Sequence, residues 1–191
     1  MSMIRLLDIN VGILLFFILL PVFGLVSLIV FLDLGSPVLF KQKRLGYRGK
    51  VFTIYKFRTM KPSKGNETDQ SRITRISALI RSLRMDEIPQ ILNVIRGEMS
   101  FVGPRPLLPE YKGYFTEEEN KRHTVLPGIT GWAQVHLGNT GSWEQRFSYD
   151  LWYVEKKSLL VNMKILWMTL VKQKKKLGDG SEITPLHVER E

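Results

Sequence analysis

"VGILLFFILLPVFGLVSLIVFL", residues 11–32, runs for 22 residues without a charged side chain. A membrane-crossing helix needs about 20 mostly apolar residues, so the run reads as membrane-embedded. Its length argues against a buried helix of a soluble core. Its weakly basic start and the lack of a small-residue cleavage site argue against a removable signal peptide. Pro21 sits near the middle, where proline removes one helical hydrogen bond and clashes with the preceding turn. A kink there leaves arms of ten and eleven residues, each roughly 15 Å long. Such arms can enter one leaflet and leave by the same face, although a proline-containing helix can also cross outright. Arg5 precedes the run and "KQKRLGYRGK" (41–50) follows it, so charge does not orient it. On these residues alone, re-entrant and spanning forms both stand.

The chain has 191 residues, enough for one sizeable core. Its 28 Lys and Arg against 18 Asp and Glu give a formal net charge of +10, which implies polyanionic company. Nucleic acid, anionic headgroups and phosphorylated substrates all qualify. There is no cysteine, so disulfides and thiolate metal sites are excluded. His123, His136 and His187 show no metal-ligand spacing, so any metal should be a hard, oxygen-bound ion such as Mg²⁺.

Beyond the apolar run, "GSPVLFKQKRLGYRGKVFTIYKFRTM" (35–60) reads as a short β-hairpin turning around Gly46 and Gly49. The polar stretch 61–70 is a surface loop. "RITRISALIRSLR" (72–84) places Ile73, Ile76, Ile80 and Leu83 at helical spacing. A second helix is expected from Pro89 to a C-cap at Gly97. "TEEENKRH" (116–123) reads as an exposed helix with capping-box spacing at Thr116 and Glu119. "LPGITGWAQV" (126–135) is a glycine-punctuated loop leading into an apolar stretch, and Ser142 is placed to cap the next helix. The last helix has apolar residues at Leu159, Met163, Leu166 and Leu170 and then a lysine cluster. That pattern suits an interfacial amphipathic helix, and equally a core-packing one with a basic last turn.

Between these elements, "LRMDEIPQ" (83–90) sets Asp86 and Glu87 side by side among cations. In isolation such a pair reads first as the acidic start of a short helix, favoured by the macrodipole. A carboxylate can also attack phosphorus, provided cations suppress charge repulsion. Lys56, Arg58, Arg81, Arg84 and Arg105 are candidates for that task. Adjacent helical side chains diverge by about 100°, which suits separate tasks better than a shared proton. Ile88 precedes Pro89 and is pushed from helical geometry, which puts the pair at a break between helices. No Walker, dinucleotide-binding or zinc-protease motif is present.

The order of the pieces is more specific than any one. A proline-centred apolar segment is followed by "PVLFKQKRLGYRGKVFTIYKFRTM", "LIRSLRMDEIPQILNVIRGEMSFVGPRPLLPEY", "LPGITGWAQV" and "SWEQRFSYDLWYV". Over residues 4–176 this series closely resembles the small monotopic bacterial phosphoglycosyl transferases, which initiate surface-glycan and glycoprotein assembly. The resemblance implies an α-dominated α+β fold: a proline-kinked re-entrant helix (1–35), a catalytic domain on the cytoplasmic face of the inner membrane (36–178) and a flexible tail (179–191). It implies transfer of a sugar-1-phosphate from a UDP-sugar to polyprenyl phosphate, typically undecaprenyl phosphate, with release of UMP. Asp86 would be the nucleophile, Glu87 its partner in the dyad, and both would lie at a Mg²⁺ ion. Lys56 and Arg81 fall on the family's basic positions; Arg58 and Arg105 join them as phosphate-binding candidates. Nucleic acid is not an expected partner, and a homodimer is left open.

Three positions depart from the family pattern. Leu20 stands where a serine often precedes the proline. Leu126 stands where relatives commonly have arginine in "RPGITG". Gly138 takes the place of an arginine in an asparagine-glycine-arginine run, with His136, Asn139 and Arg146 as candidate substitutes. The competing reading is a non-catalytic, membrane-tethered basic module that binds anionic lipid or nucleic acid in a salt-sensitive way. The absence of a nucleic-acid fold signature counts against it.

Overall fold

The computed structural model describes residues 3–63, 65, 67–138, 140–173 and 186–189. The apolar run lies in one long helix, α1 (Met3–Leu34), which continues through Pro21 as a single element. At 1.5 Å per residue it is about 48 Å long. Most of its surface is exposed apolar side chain, with Asp8, Gly12, Val26 and Val30 buried against the rest of the chain.

The hairpin forms where expected, from β1 (Leu39–Leu45) and β2 (Val51–Phe57), antiparallel with Leu45 opposite Val51. Helix α2 (Arg75–Ser82) starts on Thr74, whose side chain accepts from the Ser77 N–H. Its apolar residues do not form a core stripe: Ser77 and Ile80 face inward, while Ile76, Leu79 and Leu83 are exposed. A tight 3₁₀ turn, Met85–Gln90, then leads into α3 (Ile91–Arg96), which Gly97 ends at φ 87°. The break before the carboxylates falls at Arg84 (φ 54°, left-handed) rather than at Ile88. Pro89 fits inside the 3₁₀ turn because a residue near the start of a helical run has no intrahelical partner for its N–H to lose.

A second sheet is the element the sequence reading lacks. Strands β3 (Ser100–Val102) and β4 (Gly128–Thr130) pair in parallel, joining "GPRP" to "PGITG". Between them, α4 (Glu117–Asn120) carries the expected capping box, and the 3₁₀ turn after it buries Arg122 and His123. That half of the expected exposed helix faces the interior. Helices α5 (Trp132–Leu137), α6 (Trp143–Lys156, capped by Ser142) and α7 (Leu159–Gln173) complete the body. On α7, Ile165 and Asn162 are buried while Leu160, Met163, Trp167 and Leu170 are exposed. A short α8 (Leu186–Glu189) buries Leu186 among Leu107, Tyr111, Trp143 and Phe147. Residues 174–185, with the lysines at 174–176, and residues 190–191 lie outside the described residues.

Both ends of α1 are tied to this body. Arg5 donates to the carbonyls of Val94 (2.7 Å), Ile95 (3.3 Å) and Met99 (3.1 Å), at and just beyond the C-terminal end of α3. The Asp8 carboxylate accepts from the Phe101 N–H at 3.4 Å. At the other end Val26 and Val30 pack on Phe57 and Ile80, and Asp33 accepts from Thr74 (2.5 Å) and Ser77 (3.2 Å) at the start of α2.

Candidate active site

Lys56 comes from β2, and Asp86 and Glu87 from the 3₁₀ turn packed on it. The Lys56 ammonium reaches a Glu87 oxygen at 2.8 Å, and Arg84 stands 3.8 Å from the other one. The register between strand and turn is held by Asn93 of α3, which is fully buried. Its amide donates to the Thr53 carbonyl and to Glu98, each at 2.7 Å, and its oxygen accepts from the Tyr55 N–H at 3.3 Å. A buried polar side chain in a short apolar helix is costly unless paired. Here two of its three bonds clamp the helix onto the strand that carries Lys56.

The two carboxyls are driven apart. Burial raises Asp86, the Glu87 charge raises it further, and Lys56 and Arg81 only partly counter this, leaving it at about 6. Burial also acts to raise Glu87, yet Lys56, Arg105 and Arg84 outweigh it and hold that carboxyl below its ordinary value. Glu87 is therefore a fixed anion locked to a lysine. Asp86 is a desolvated carboxylate that ionises only near neutrality. Divergent values in an adjacent pair mark divided chemical roles.

The remaining candidates divide in the same way. Arg81, exposed at the end of α2, acts on Asp86; exposed Arg105 acts on Glu87. Arg58 is placed differently. Its guanidinium donates to the carbonyls of Leu34, Gly35 (2.7 Å) and Ser36 (3.1 Å), so it caps the C-terminal end of α1. Three residues absent from the sequence reading line the polar cleft beside Lys56, Glu87 and Arg105: Arg44, Gln90 and Gln134. Arg44 is pushed down to about 10 by burial and by the neighbouring charge of Arg105. Nothing in their local sequence marks them, because only the packing of β1, the turn and α5 makes them neighbours.

Arg105 is held by the second sheet. The Gly103 N–H donates to the Thr130 carbonyl (2.9 Å) and the Gly128 N–H to the Pro104 carbonyl (3.0 Å). The strands approach so closely that a Cβ on Gly128 would sit 2.1 Å from the Gly103 nitrogen. Buried Arg122 donates to the Arg105 carbonyl (2.8 Å) and is itself paired with buried Asp150 at 2.7 Å. The backbone of "GPRP" is thus fixed on both sides, and the Arg105 side chain projects from it.

One of the departures has a local explanation. Gly138 ends α5 at φ 59°, ψ −123°, a conformation that side-chain-bearing residues avoid, so an arginine would be strained there. Arg146 donates to the carbonyls of Gly138 (3.2 Å) and Thr140 (2.8 Å), bracing that loop from α6. His136 is packed between Trp132 and Tyr149, with Nδ1 2.9 Å from the Trp132 carbonyl oxygen. Asn139 lies outside the described residues. Leu126 is half-buried, and nothing in the structure explains its replacement of an arginine.

No cluster of three or more Asp, Glu, His or Cys occurs among the described residues, so no all-protein metal cage is built. Mg²⁺ does not require one, since it is usually held by one or two carboxylates, substrate phosphates and water. Asp86 fits that donor set, because its excess negative charge is what a divalent cation would neutralise. Glu87 is less available, its oxygens facing Lys56 and Arg84.

Fold and site together define a domain with one helix long and apolar enough to cross a membrane and a desolvated carboxylate set among cations. The chain belongs to the bacterial sugar transferase family, whose description matches residues 1–176. It is 52% identical over 148 residues to the uncharacterized sugar transferase EpsL of Bacillus subtilis (strain 168), covering 75% of this chain and 73% of that one. It is 37% identical over 188 residues to the undecaprenyl-phosphate glucose phosphotransferase of Komagataeibacter xylinus, covering 88% of this chain and 35% of the relative. Identity is 35% over 179 residues with the UDP-glucose:undecaprenyl-phosphate glucose-1-phosphate transferase of Escherichia coli (strain K12), covering 86% of this chain and 39% of the relative. The chain thus spans well under half the length of these two transferases.

Proposed function

We propose that this protein transfers a sugar-1-phosphate from a UDP-sugar to polyprenyl phosphate at the membrane surface. The observation that carries the reading is the opposite displacement of the Asp86 and Glu87 carboxyls. Ionised Asp86 attacks the β-phosphorus, the bond from that phosphorus to the bridging oxygen breaks, and UMP leaves. The phosphosugar is then an acyl phosphate on Asp86. A phosphate oxygen of the polyprenyl phosphate attacks the same phosphorus and the bond to Asp86 breaks, giving polyprenyl-diphosphate-sugar and the free carboxylate. Lys56, Arg81 and Arg105 hold phosphate oxygens, and Glu87 fixes Lys56. Mg²⁺ held by Asp86 and the donor's phosphates would neutralise charge on the reacting diphosphate. Desolvation of Asp86 favours attack and keeps water from the adduct.

The topology we assign is re-entrant, with both helix ends and the body on the cytoplasmic face, where nucleotide sugars are found. A spanning helix carries its two ends on opposite sides of the bilayer. Here Arg5 and Asp33, near the two ends of α1, bond to the same body, which favours the re-entrant form.

The test is UMP release from a panel of UDP-sugars with polyprenyl phosphate and Mg²⁺, together with intact-mass detection of the adduct. Wild type should gain the mass of one phosphosugar when donor is supplied alone, and Asp86→Asn should show neither adduct nor turnover. Normal turnover by that variant would remove the nucleophile assignment. Salt-sensitive binding of anionic lipid without turnover would favour the non-catalytic module instead.

A further inference from the structure

Beyond the catalytic cleft lies a second space that the reaction steps above do not use. It is a cavity of about 150 Å³ with walls formed by Tyr111, Trp143 and Phe147. It shares Arg44, Arg105 and Gln134 with the cleft that holds Lys56 and Glu87, so the two spaces adjoin. A void of roughly 150 Å³ accepts one benzene-sized ring, too little for a whole sugar nucleotide and enough for one planar heterocycle. Its walls match such a guest. Tyr111 meets Trp143 edge-on at 5.6 Å and Trp143 lies tilted against Phe147 at 5.7 Å, offering aromatic surface for stacking. Leu186 packs on the same three aromatic residues and supports them.

The polar groups narrow the choice. The shared wall is rich in N–H donors from arginine, which suits a guest with carbonyl oxygens. Gln134 adds an acceptor. Its Nε2 donates to the Ile129 carbonyl at 3.2 Å, and its buried Oε1 has no partner among the described residues. Buried Arg44 Nε likewise has none. An unpaired buried acceptor and donor on one wall are costly in the empty protein. An imide edge, with one N–H between two carbonyls, satisfies both kinds of group.

We infer that this cavity is the seat of the donor's uracil ring, stacked on the Trp143 wall, with Gln134 accepting from its N3–H and Arg44 donating to a carbonyl. The inference rests on the UDP-sugar reading and specifies which end of the donor lies beyond Arg105. It makes Gln134 a base-reading residue: cytosine, which has no N3–H and carries an amine in place of one carbonyl, leaves the Gln134 oxygen unpaired.

The experiment is equilibrium titration of the full chain in detergent micelles with UMP, CMP and inorganic pyrophosphate, none of which requires turnover. Wild type should bind UMP at least about tenfold more tightly than CMP, the size of one buried hydrogen bond. Gln134→Leu should remove that preference, and Trp143→Ala should weaken UMP about tenfold or more while its pyrophosphate binding stays unchanged. Gln134 is half-buried, so its variant reports on the site even if loss of Trp143 unsettles the fold. Unchanged UMP affinity and selectivity in the Gln134 variant would overturn the assignment while leaving the donor reading intact. Variants that change the preference among UDP-sugars but not UMP binding would overturn it too, placing the sugar in the cavity. Wild type that binds neither UMP nor UDP-glucose would overturn the donor reading itself.

Discussion

The raised carboxyl of Asp86 makes a quantitative prediction about stability. Its value is about 6 in the folded chain against an ordinary 3.8. At 1.36 kcal/mol per pH unit, the ionised group is about 3 kcal/mol less favourable in the fold than in water. The sign follows from the direction. A carboxyl raised in the folded state favours folding fully below 3.8, and that contribution is lost as pH rises through about 6. Asp86→Asn keeps the shape and removes the charge, but its amide still needs hydrogen bonds, so the net gain at pH 8 should be about 2 kcal/mol. For a domain of this size that raises Tm by roughly 4–8 °C. Differential scanning fluorimetry in detergent with EDTA, at pH 8 and pH 4.5, reads the effect. The variant should melt higher at pH 8 and about level with wild type at pH 4.5, where folded Asp86 is protonated and only a minor part of the charge penalty remains. Equal melting at pH 8, or a gap unchanged by pH, would refute the claim that Asp86 is a desolvated, charge-repelled carboxylate. Saturating Mg²⁺ should narrow the gap at pH 8 by stabilising wild type alone.

The other expectations are structural or topological. Asp150→Asn leaves the Arg122 guanidinium buried without its counter-charge; it should cost about 3–5 kcal/mol and, by loosening the Arg105 carbonyl, raise the KM for the donor in whatever protein remains folded. Gly128→Ala should prevent folding, because its Cβ would meet the Gly103 nitrogen at 2.1 Å, whereas Gly113→Ala, with nothing within 4 Å, should be neutral in expression and melting temperature. The chain has no cysteine, so single cysteines at Met3 and at Lys112 can be labelled cleanly. Both should react with an impermeant maleimide from the cytoplasmic side in oriented vesicles, and labelling of the Met3 site from the opposite side only would establish a spanning helix.

The sequence by itself determined what local pattern and covalent order can determine. The 22-residue apolar run, the hairpin, the Thr116 and Ser142 capping boxes and the Asp86–Glu87 pair are set by residues within a few positions of one another. Tertiary structure decided the rest, because the decisive interactions cross long stretches of chain. The Lys56–Glu87 pair spans 31 residues, and the Arg5 bonds to the end of α3 span 89 and more. Ser100–Val102 and Gly128–Thr130 become neighbouring strands only when Gly103 and Gly128 meet, which no hydrophobic period announces. Composition shows Arg58 and Arg105 as equal cations; folding sends one to cap a helix end and leaves the other facing the cleft. The distinction between Asp86 and Glu87 has the same origin. Both are buried acids on adjacent residues, and the ion pairing of Glu87 with Lys56, brought in by distant chain, sets their charges apart.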